Sequence, residues 1–293
     1  MKKIVIAGGT GFIGTFLNMR FREMGYKVFI VSRNPEGISW NPADLTSAFE
    51  NAELVVNLAG KSINCRHTQA NKTAILDSRI NSTSLIGNAI KACKNPPKLW
   101  VNASATGIYK PSLLLPMTED EAVLGTDFLS EVVSQWENIF FDFKLPDTRQ
   151  IALRTSVVLG KNGGALNPLV LLTRFGLGGK QAEGTQMFSW IHQEDYFRIL
   201  LFLMKNTDEQ GIFNCTAPQP VSNREFMLLL QQSLHVPFGI PAPRFVIEFA
   251  AKFIGTEPEL ILNSSYVIPK RLSGIGYHFT FPRIDKALAN LLN

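Results

Sequence analysis

The sequence predicts an α/β protein built on a doubly wound parallel sheet, with a small C-terminal lobe added to it. Three observations carry this. Short apolar runs alternate with helical patterns through the first half of the 293 residues. Several runs, such as Ile4-Val5-Ile6 and Val28-Phe29-Ile30-Val31, are apolar on both faces. Strands of that kind need cover above and below, which a parallel sheet with helices on each side provides. The first run also ends in glycines that open a helix.

The elements follow in order. Residues 3–7 read as a buried strand, and 12–24 as a helix with Phe12, Phe16, Met19 and Met24 among its apolar positions. Strands come next at 27–31 and 54–58, a long helix at 69–92, a fourth strand at 99–103, and a fifth within 151–159. The second half is less regular. Asn162-Gly163-Gly164 and Gly176-Leu177-Gly178-Gly179 are loop signals, 194–206 reads as a helix, and 213–215 as a short strand. From Pro218 the chain is punctuated by proline, with helices near 222–234, 243–254 and 282–292.

The chemistry starts at Gly8-Gly9-Thr10-Gly11-Phe12-Ile13-Gly14, directly after the first strand. Glycines at 8, 11 and 14 allow a tight turn, a close backbone approach to a pyrophosphate, and close packing of helix on strand. The phosphates then face free N–H groups at the positive end of the helix dipole. A string of this kind between a strand and a helix is the dinucleotide fingerprint of a Rossmann-type sheet. It nominates Gly8, Thr10, Gly11, Phe12, Ile13 and Gly14 as cofactor-binding. The end of the second strand reads Val31-Ser32-Arg33-Asn34, and no acid lies between Glu23 and Glu36. An NAD site has an acid there for the ribose 2′-OH. Arg33 offers its fork of donors to a 2′-phosphate and Ser32 adds a hydroxyl, so the expectation is NADP(H). The division is then an NADP-binding domain over 1–217, with cleft loops from about 160 to 190, and a lobe over 218–293.

Composition narrows the partners. Hydrophobic residues make up 45% and charged residues 18%, which argues for a packed core over disorder. The net charge of +5 comes from dispersed Lys and Arg, with none of the runs that nucleic-acid arms carry. The three cysteines and four histidines are scattered, so neither a disulfide framework nor a metal site is expected. The first apolar run is too short for the core of a secretory signal. The apolar stretch at 245–254 is broken by Glu248 and Lys252 and is too short to span a bilayer. The expectation is a cytoplasmic protein with a small-molecule substrate, no nucleic acid and no membrane. The apolar content of the lobe fits a homodimer face as well as a substrate-selecting one.

Further motifs occur in order: Asn57-Leu58-Ala59-Gly60, Ser78-Arg79, Ser104-Ala105-x-Gly107-x-Tyr109, Trp136-Glu137, Leu153-Arg154-Thr155, Trp190-Ile191-His192-x-x-Asp195 and Pro269-Lys270-Arg271-Leu272. Together with the glycine pattern they resemble the extended short-chain dehydrogenase/reductases, and within them the atypical YfcH-like branch, whose members carry NAD-dependent epimerase or SulA-family labels. The resemblance spans nearly the whole chain. It implies an epimerase or oxidoreductase, with Ala59 and Gly60 on the adenine-ribose side of the cofactor and Leu58 in the cofactor-binding set. It adds Arg154 to the cofactor-binding set, in a motif bordering the substrate cleft, and it gives the lobe the role of selecting substrate.

The superfamily's usual chemistry needs Ser or Thr together with Tyr-x-x-x-Lys, whose Tyr and Lys share one helical face. The Lys lowers the Tyr pKa so that the Tyr can exchange a proton with the substrate. Here the matching positions are Phe128 and Val132. A phenyl ring donates no proton and Val carries no charge. Phe128, Val132, Trp136, Ile139 and Phe143 read instead as a core-facing stripe. Ser104, at a strand end, and Tyr109, in the following loop, are left as the catalytic candidates. Asn81, Arg66 and Arg79 are weaker candidates, the arginines for an anionic substrate. His192 reads as a structural hydrogen-bonding residue, and Asp195 as an acid complementing a helix N-terminus. Without the Tyr and Lys, a non-catalytic NADP(H) sensor or partner-binding protein is the alternative.

Overall fold

The computed structural model describes residues 2–206 and 208–292. The first half holds β1 (Lys3–Ala7), α1 (Phe12–Glu23), β2 (Lys27–Val31), α2 (Pro42–Phe49), β3 (Leu54–Asn57), α3 (Gln69–Ala92), β4 (Leu99–Ala105), α4 (Phe128–Asp142) and β5 (Arg149–Thr155). After it come β6 (Val157–Gly160), β7 (Gly163–Gly164), α5 (Leu166–Arg174), β8 (Met187–Phe188), β9 (Trp190–His192), α6 (Gln193–Lys205) and β10 (Gly211–Cys215). The chain finishes with β11 (Val221–Ser222), α7 (Asn223–Ser233), α8 (Arg244–Ile254), α9 (Glu259–Leu262), α10 (Lys270–Gly274) and α11 (Ile284–Leu292).

Six strands form one parallel sheet in the order β10-β5-β4-β3-β1-β2. The direction of winding reverses between β1 and β3, and ligands of such sheets bind outside the carboxyl ends of the strands at that point. Alternation along each strand feeds two cores. Ile4 and Ile6 face one layer with Leu17 and Phe21 of α1 and Phe197 and Leu200 of α6. Val5 and Ala7 face the other with Phe49 of α2, Ile86 of α3 and Phe140 of α4. The sheet is therefore doubly wound, as its two-sided apolar runs require.

The structure differs from the sequence reading in places. The apolar run at 151–159 is broken at Ser156, whose N–H bonds the Cys215 carbonyl at 3.1 Å. β5 stays in the main sheet, and β6 leaves it to pair with β7 and β9. Helix α2 carries a signal that the period-based reading passes over: Asn41 accepts the Ala43 N–H, and Pro42 follows it. Helix α5 sits between the two glycine loops. A third core joins Leu159, Leu166 and Trp190 to Phe226, Leu230, Leu288 and Leu291. The lobe helices thus share their core with the 157–192 segment as well as with each other.

Motif residues pin the lobe to the sheet. The Asp195 carboxylate is fully buried and accepts the Thr280 and Phe281 N–H groups, each at 2.8 Å, and the Tyr277 hydroxyl at 3.1 Å. His192 caps α6 by accepting the Glu194 N–H at Nδ1, and its ring stacks on Phe281. Arg271 covers the edge strand β10, donating to the Ile212 carbonyl at 2.6 Å and lying over the Phe213 ring. An edge covered in this way is closed to pairing with another chain.

Two predictions follow from this clamp. Asp195→Ala leaves the Thr280 and Phe281 N–H groups without their acceptor and the Tyr277 hydroxyl with only the backbone carbonyl of residue 195, and lowers the unfolding free energy by about 2–4 kcal/mol in urea titrations. Burial brings the His192 pKa down from 6.5 to about 4, so the unfolded chain takes up this proton between those values and the folded chain does not. The contribution is complete above pH 6.5 and is lost as the pH falls toward 4. Asp195, whose carboxyl burial pushes upward, opposes it at the acid end. His192→Gln therefore shows a shallower loss of stability across that window than the wild-type chain.

Candidate functional site

The carboxyl ends of β1, β2, β3 and β4 converge on the glycine loop. Gly8 has φ +76°, a conformation that favours glycine. A β-carbon there would lie 2.8 Å from the Ala59 nitrogen, so the loop rests against the end of β3. A β-carbon at Gly14 would lie 2.5 Å from the Gly9 α-carbon, which fixes α1 hard against the turn. Gly11 is the N-cap of α1, provides no side-chain acceptor, and is followed by no acid in the first turn. The N–H groups of Phe12, Ile13 and Gly14 precede the first intrahelical bond, which runs from the Thr15 N–H to the Gly11 carbonyl. Thr10 and Gly11 are exposed at the tip. The result is a backbone cradle with positive dipole and room for phosphate oxygens, a space that side chains at Gly8 or Gly14 would fill.

Phe12 and Ile13 reach this site through their backbone alone. The Phe12 ring packs where β-carbons of Gly160, Gly163 and Gly164 would stand, and Ile13 joins the α1–α6 core. At the end of β2, Arg33 is exposed and makes no ion pair among the described residues. Ser32 is buried, and its hydroxyl accepts the Asn34 N–H at 3.1 Å. Leu58 and Ala59 are half-buried and Gly60 is exposed, and Ala59 lies against Gly8 of the glycine loop. Below them Asn57 donates to Asn102 Oδ1 at 2.7 Å and to Thr83 at 3.2 Å, and Asn57 Oδ1 accepts the Ala59 N–H. A buried amide network thus fixes the carboxyl end of β3 and the start of the loop after it.

Ser104 and Tyr109 belong to one buried network. Ser104 donates to Glu137 Oε1 at 2.5 Å. Arg154, beside Ser104 in the sheet register, forks onto Glu137 through Nε at 2.8 Å and Nη2 at 2.7 Å. Its Nη1 donates to the Tyr109 hydroxyl at 2.8 Å, which donates in turn to Asn214 Oδ1 at 2.7 Å. Each of these side chains is buried. The Arg154 pKa is raised: the bonds and charge of Glu137 outweigh a desolvation that acts the other way. Burial pushes the Tyr109 phenol up despite the neighbouring guanidinium. That is the reverse of the shift a superfamily Tyr receives from its Lys. Arg154, expected at the cofactor, has its guanidinium engaged inside the protein. Ser104 shares its strand face with Trp100 and Asn102, both covered by helices, while Ala103 and Ala105 on the other face are partly open.

The position matching the superfamily Tyr is an aromatic contact. Phe128 meets His67 in a T-shaped contact with ring centres 5.4 Å apart and has the Lys72 ammonium 5.1 Å from its ring centre, and Val132 is buried. Asn81 is exposed. Arg66 bonds the Thr256 carbonyl and pairs with Glu257, so the loop after β3 is tied to the lobe. Glu137 is the site residue that sequence reasoning passed over. The Trp136-Glu137 motif carried a signal, because a carboxylate amid the apolar positions of an amphipathic helix calls for a partner. An open groove of about 560 Å³ lined by Phe141, Phe143, Leu145 and Gly211 lies at the other end of the strands.

A family model for the NAD dependent epimerase/dehydratase family matches residues 4–128. A model for a domain of unknown function, DUF1731, matches 242–291. The epimerase family protein SDR39U1 of Bos taurus is 36% identical over 299 residues, covering 99% of this chain and 99% of its own. An epimerase family protein of Staphylococcus epidermidis is 33% identical over 300 residues, covering 100% of this chain and 99% of its own. The crystal structure of human epimerase family protein SDR39U1 with NADPH superposes with a TM-score of 0.90 at 34% identity, over 99% of each chain. Similarity of sequence and of fold along the full length, on a glycine cradle at the switch point of the sheet, leads to one assignment. The chain belongs to the epimerase family, of the NAD dependent epimerase/dehydratase type and the extended short-chain dehydrogenase/reductase class.

Proposed function

We propose that this protein binds NADP(H) at the β1–α1 turn and is an oxidoreductase or epimerase-like enzyme acting on a small molecule. The observation that carries the reading is the cradle itself: glycines packed to contact distance, and a helix N-terminus with neither a capping side chain nor an acid. Gly8, Thr10, Gly11 and Gly14, with the N–H groups of Phe12 and Ile13, hold the diphosphate. Leu58, Ala59 and Gly60 form the opposite wall. Arg33 meets the 2′-phosphate beside Ser32. The relative solved with NADPH supports the choice of the phosphorylated dinucleotide.

When bound, such a dinucleotide exchanges two electrons and a proton with a substrate carbon. The chain must then move a second proton at the substrate oxygen. Ser104 is the residue assigned to this step. The Ser104 hydroxyl proton passes to the oxygen of a carbonyl being reduced, and water returns a proton to Ser104 Oγ, while Glu137 keeps its charge because Arg154 depends on it. The reverse transfer serves oxidation of an alcohol. The Arg154 fork fixes both carboxylate oxygens, and Tyr109 positions Arg154. A second reading, a non-catalytic NADP(H) sensor, draws on the burial of both the Ser104 and Tyr109 hydroxyls and on Phe128 and Val132.

Nicotinamide fluorescence titrations test the cofactor: NADPH binds more tightly than NADH, and Arg33→Ala lowers NADPH affinity by about 10-fold while leaving NADH unchanged. Equal affinities in the wild-type chain would remove the role given to Arg33. Turnover of NADPH with a carbonyl panel tests the chemistry. Ser104→Ala reduces it by about 100-fold or more, the scale of a lost proton-transfer group, with NADPH affinity retained. Tight NADPH binding without turnover of any carbonyl would favour the sensor.

A further inference from the structure

Helix α3 carries a guanidinium that the proposed site leaves unused. Arg79 Nη1 donates to the Ile75 carbonyl at 2.9 Å and to the Lys61 carbonyl at 3.1 Å. The preceding Ser78 accepts the Lys61 N–H at 2.8 Å, so the Ser78-Arg79 pair brackets the residue after Gly60. The guanidinium lies 5.1 Å over the Trp136 ring. Among the described residues no carboxylate lies within ion-pair distance of it. Its Nε and Nη2 groups donate to no protein acceptor there, yet solvent reaches them, since neither is among the buried unpartnered atoms. Burial alone, with no acid to offset it, draws the Arg79 pKa down to about 10. A cation held half out of water without a counter-charge is costly, and an anion from outside the protein lowers that cost.

The geometry around Gly60 says where the anion comes from. A β-carbon at Gly60 would lie 3.3 Å from Arg79 Cζ, so an open glycine alone separates the guanidinium from the groove. A β-carbon at Gly8 would touch the Ala59 nitrogen at 2.8 Å. The phosphate cradle and Arg79 therefore abut the same Ala59-Gly60 dipeptide. The superfamily draws its charge near the cofactor from a Lys on the helix that is α4 here. In this chain that position is Val132, and Trp136, one turn further along, carries the Arg79 guanidinium instead.

We propose that Arg79 is the counter-charge to the diphosphate of the bound dinucleotide, delivered from α3 across Gly60. The inference rests on the dinucleotide reading of the β1–α1 turn. It differs from the role of Arg33 in a measurable way. The diphosphate is common to NADPH and NADH, and the 2′-phosphate is not.

The test is direct titration of the full chain and its Arg79→Gln, Arg79→Lys and Arg33→Ala variants with NADPH and with NADH, at low and moderate salt. Thermal melting checks that each variant is folded. Arg79→Gln is expected to weaken both nucleotides by a similar factor, about 10-fold, and to flatten the salt dependence of binding. Arg79→Lys, which keeps the charge and loses the planar fork, is expected to retain the larger part of the affinity. Wild-type affinity in Arg79→Gln would overturn the assignment. Equal losses in the Gln and Lys variants would also overturn it, because they would reduce Arg79 to a bracket for Lys61. A loss confined to NADPH would move Arg79 to the 2′-phosphate and overturn the diphosphate role. Failure of the wild-type chain to bind either nucleotide would instead sink the reading of the β1–α1 turn, a result distinct from all of these.

Discussion

The buried pair of Arg154 and Glu137 is the interaction on which the rest of the site depends. It joins β5 to α4, and through Ser104 and Tyr109 it reaches β4 and the loop that follows. Two charges removed from water are tolerated only when their remaining polar atoms are bonded. Here the fork is bidentate, the spare Arg154 N–H meets a phenol, and Ser104 occupies a carboxylate oxygen. The chain extends through Asn214, whose N–H meets Glu119, and whose side-chain amide donates to the Ile268 carbonyl. One set of bonds thus sets the spacing between the sheet and the segment leading into the lobe. Losing either charge would strand the other in a buried position.

That arrangement also shapes what the cleft can do. Groups that carry chemistry elsewhere in the superfamily are absent from α4, and the hydroxyls nearest the strand ends are tied into the interior. Proton movement, where it occurs, has to draw on a network that is also structural. Such a network holds its geometry tightly, which favours preorganised transfer over adaptable binding. The cradle at the β1–α1 turn is independent of it. Its positive character comes from backbone N–H groups and requires no titratable side chain.

The later motifs divide by physical role. Asp195 and His192 serve the junction between α6 and the C-terminal segment, and Arg271 serves the edge of the sheet. Their chemistry is that of satisfying N–H groups and carbonyls left over where elements meet. The lobe needs them because its own core is small and shared with the 157–192 segment. The loop after β3 is also tied to the lobe, by Asn64 to Thr256 and by the His67 N–H to Glu257. These bonds hold residues 64–67 against residues 256–257.

The sequence by itself determined what is local. Two-sided apolar runs require a covered parallel sheet, and the glycines at 8, 11 and 14 require a close phosphate turn, because strand alternation and backbone sterics act within a few residues. The absence of an acid after β2 was equally legible. The Asn41-Pro42 start of α2 was legible too, though only as a cap and not as a period. Tertiary structure alone decided which faces meet. Periodicity puts Glu137 on a helix and Arg154 on a strand, but the bond between them, and the contact of Tyr109 with Asn214 at a separation of 105 residues, exist only once the sheet has formed. The same holds for Phe12, whose ring turns from the glycine loop onto the glycines of the β6–β7 turn, and for Arg79, against which no acid is folded among the described residues. Side-chain pairing across elements depends on register and packing, and neither is written in the spacing of one element.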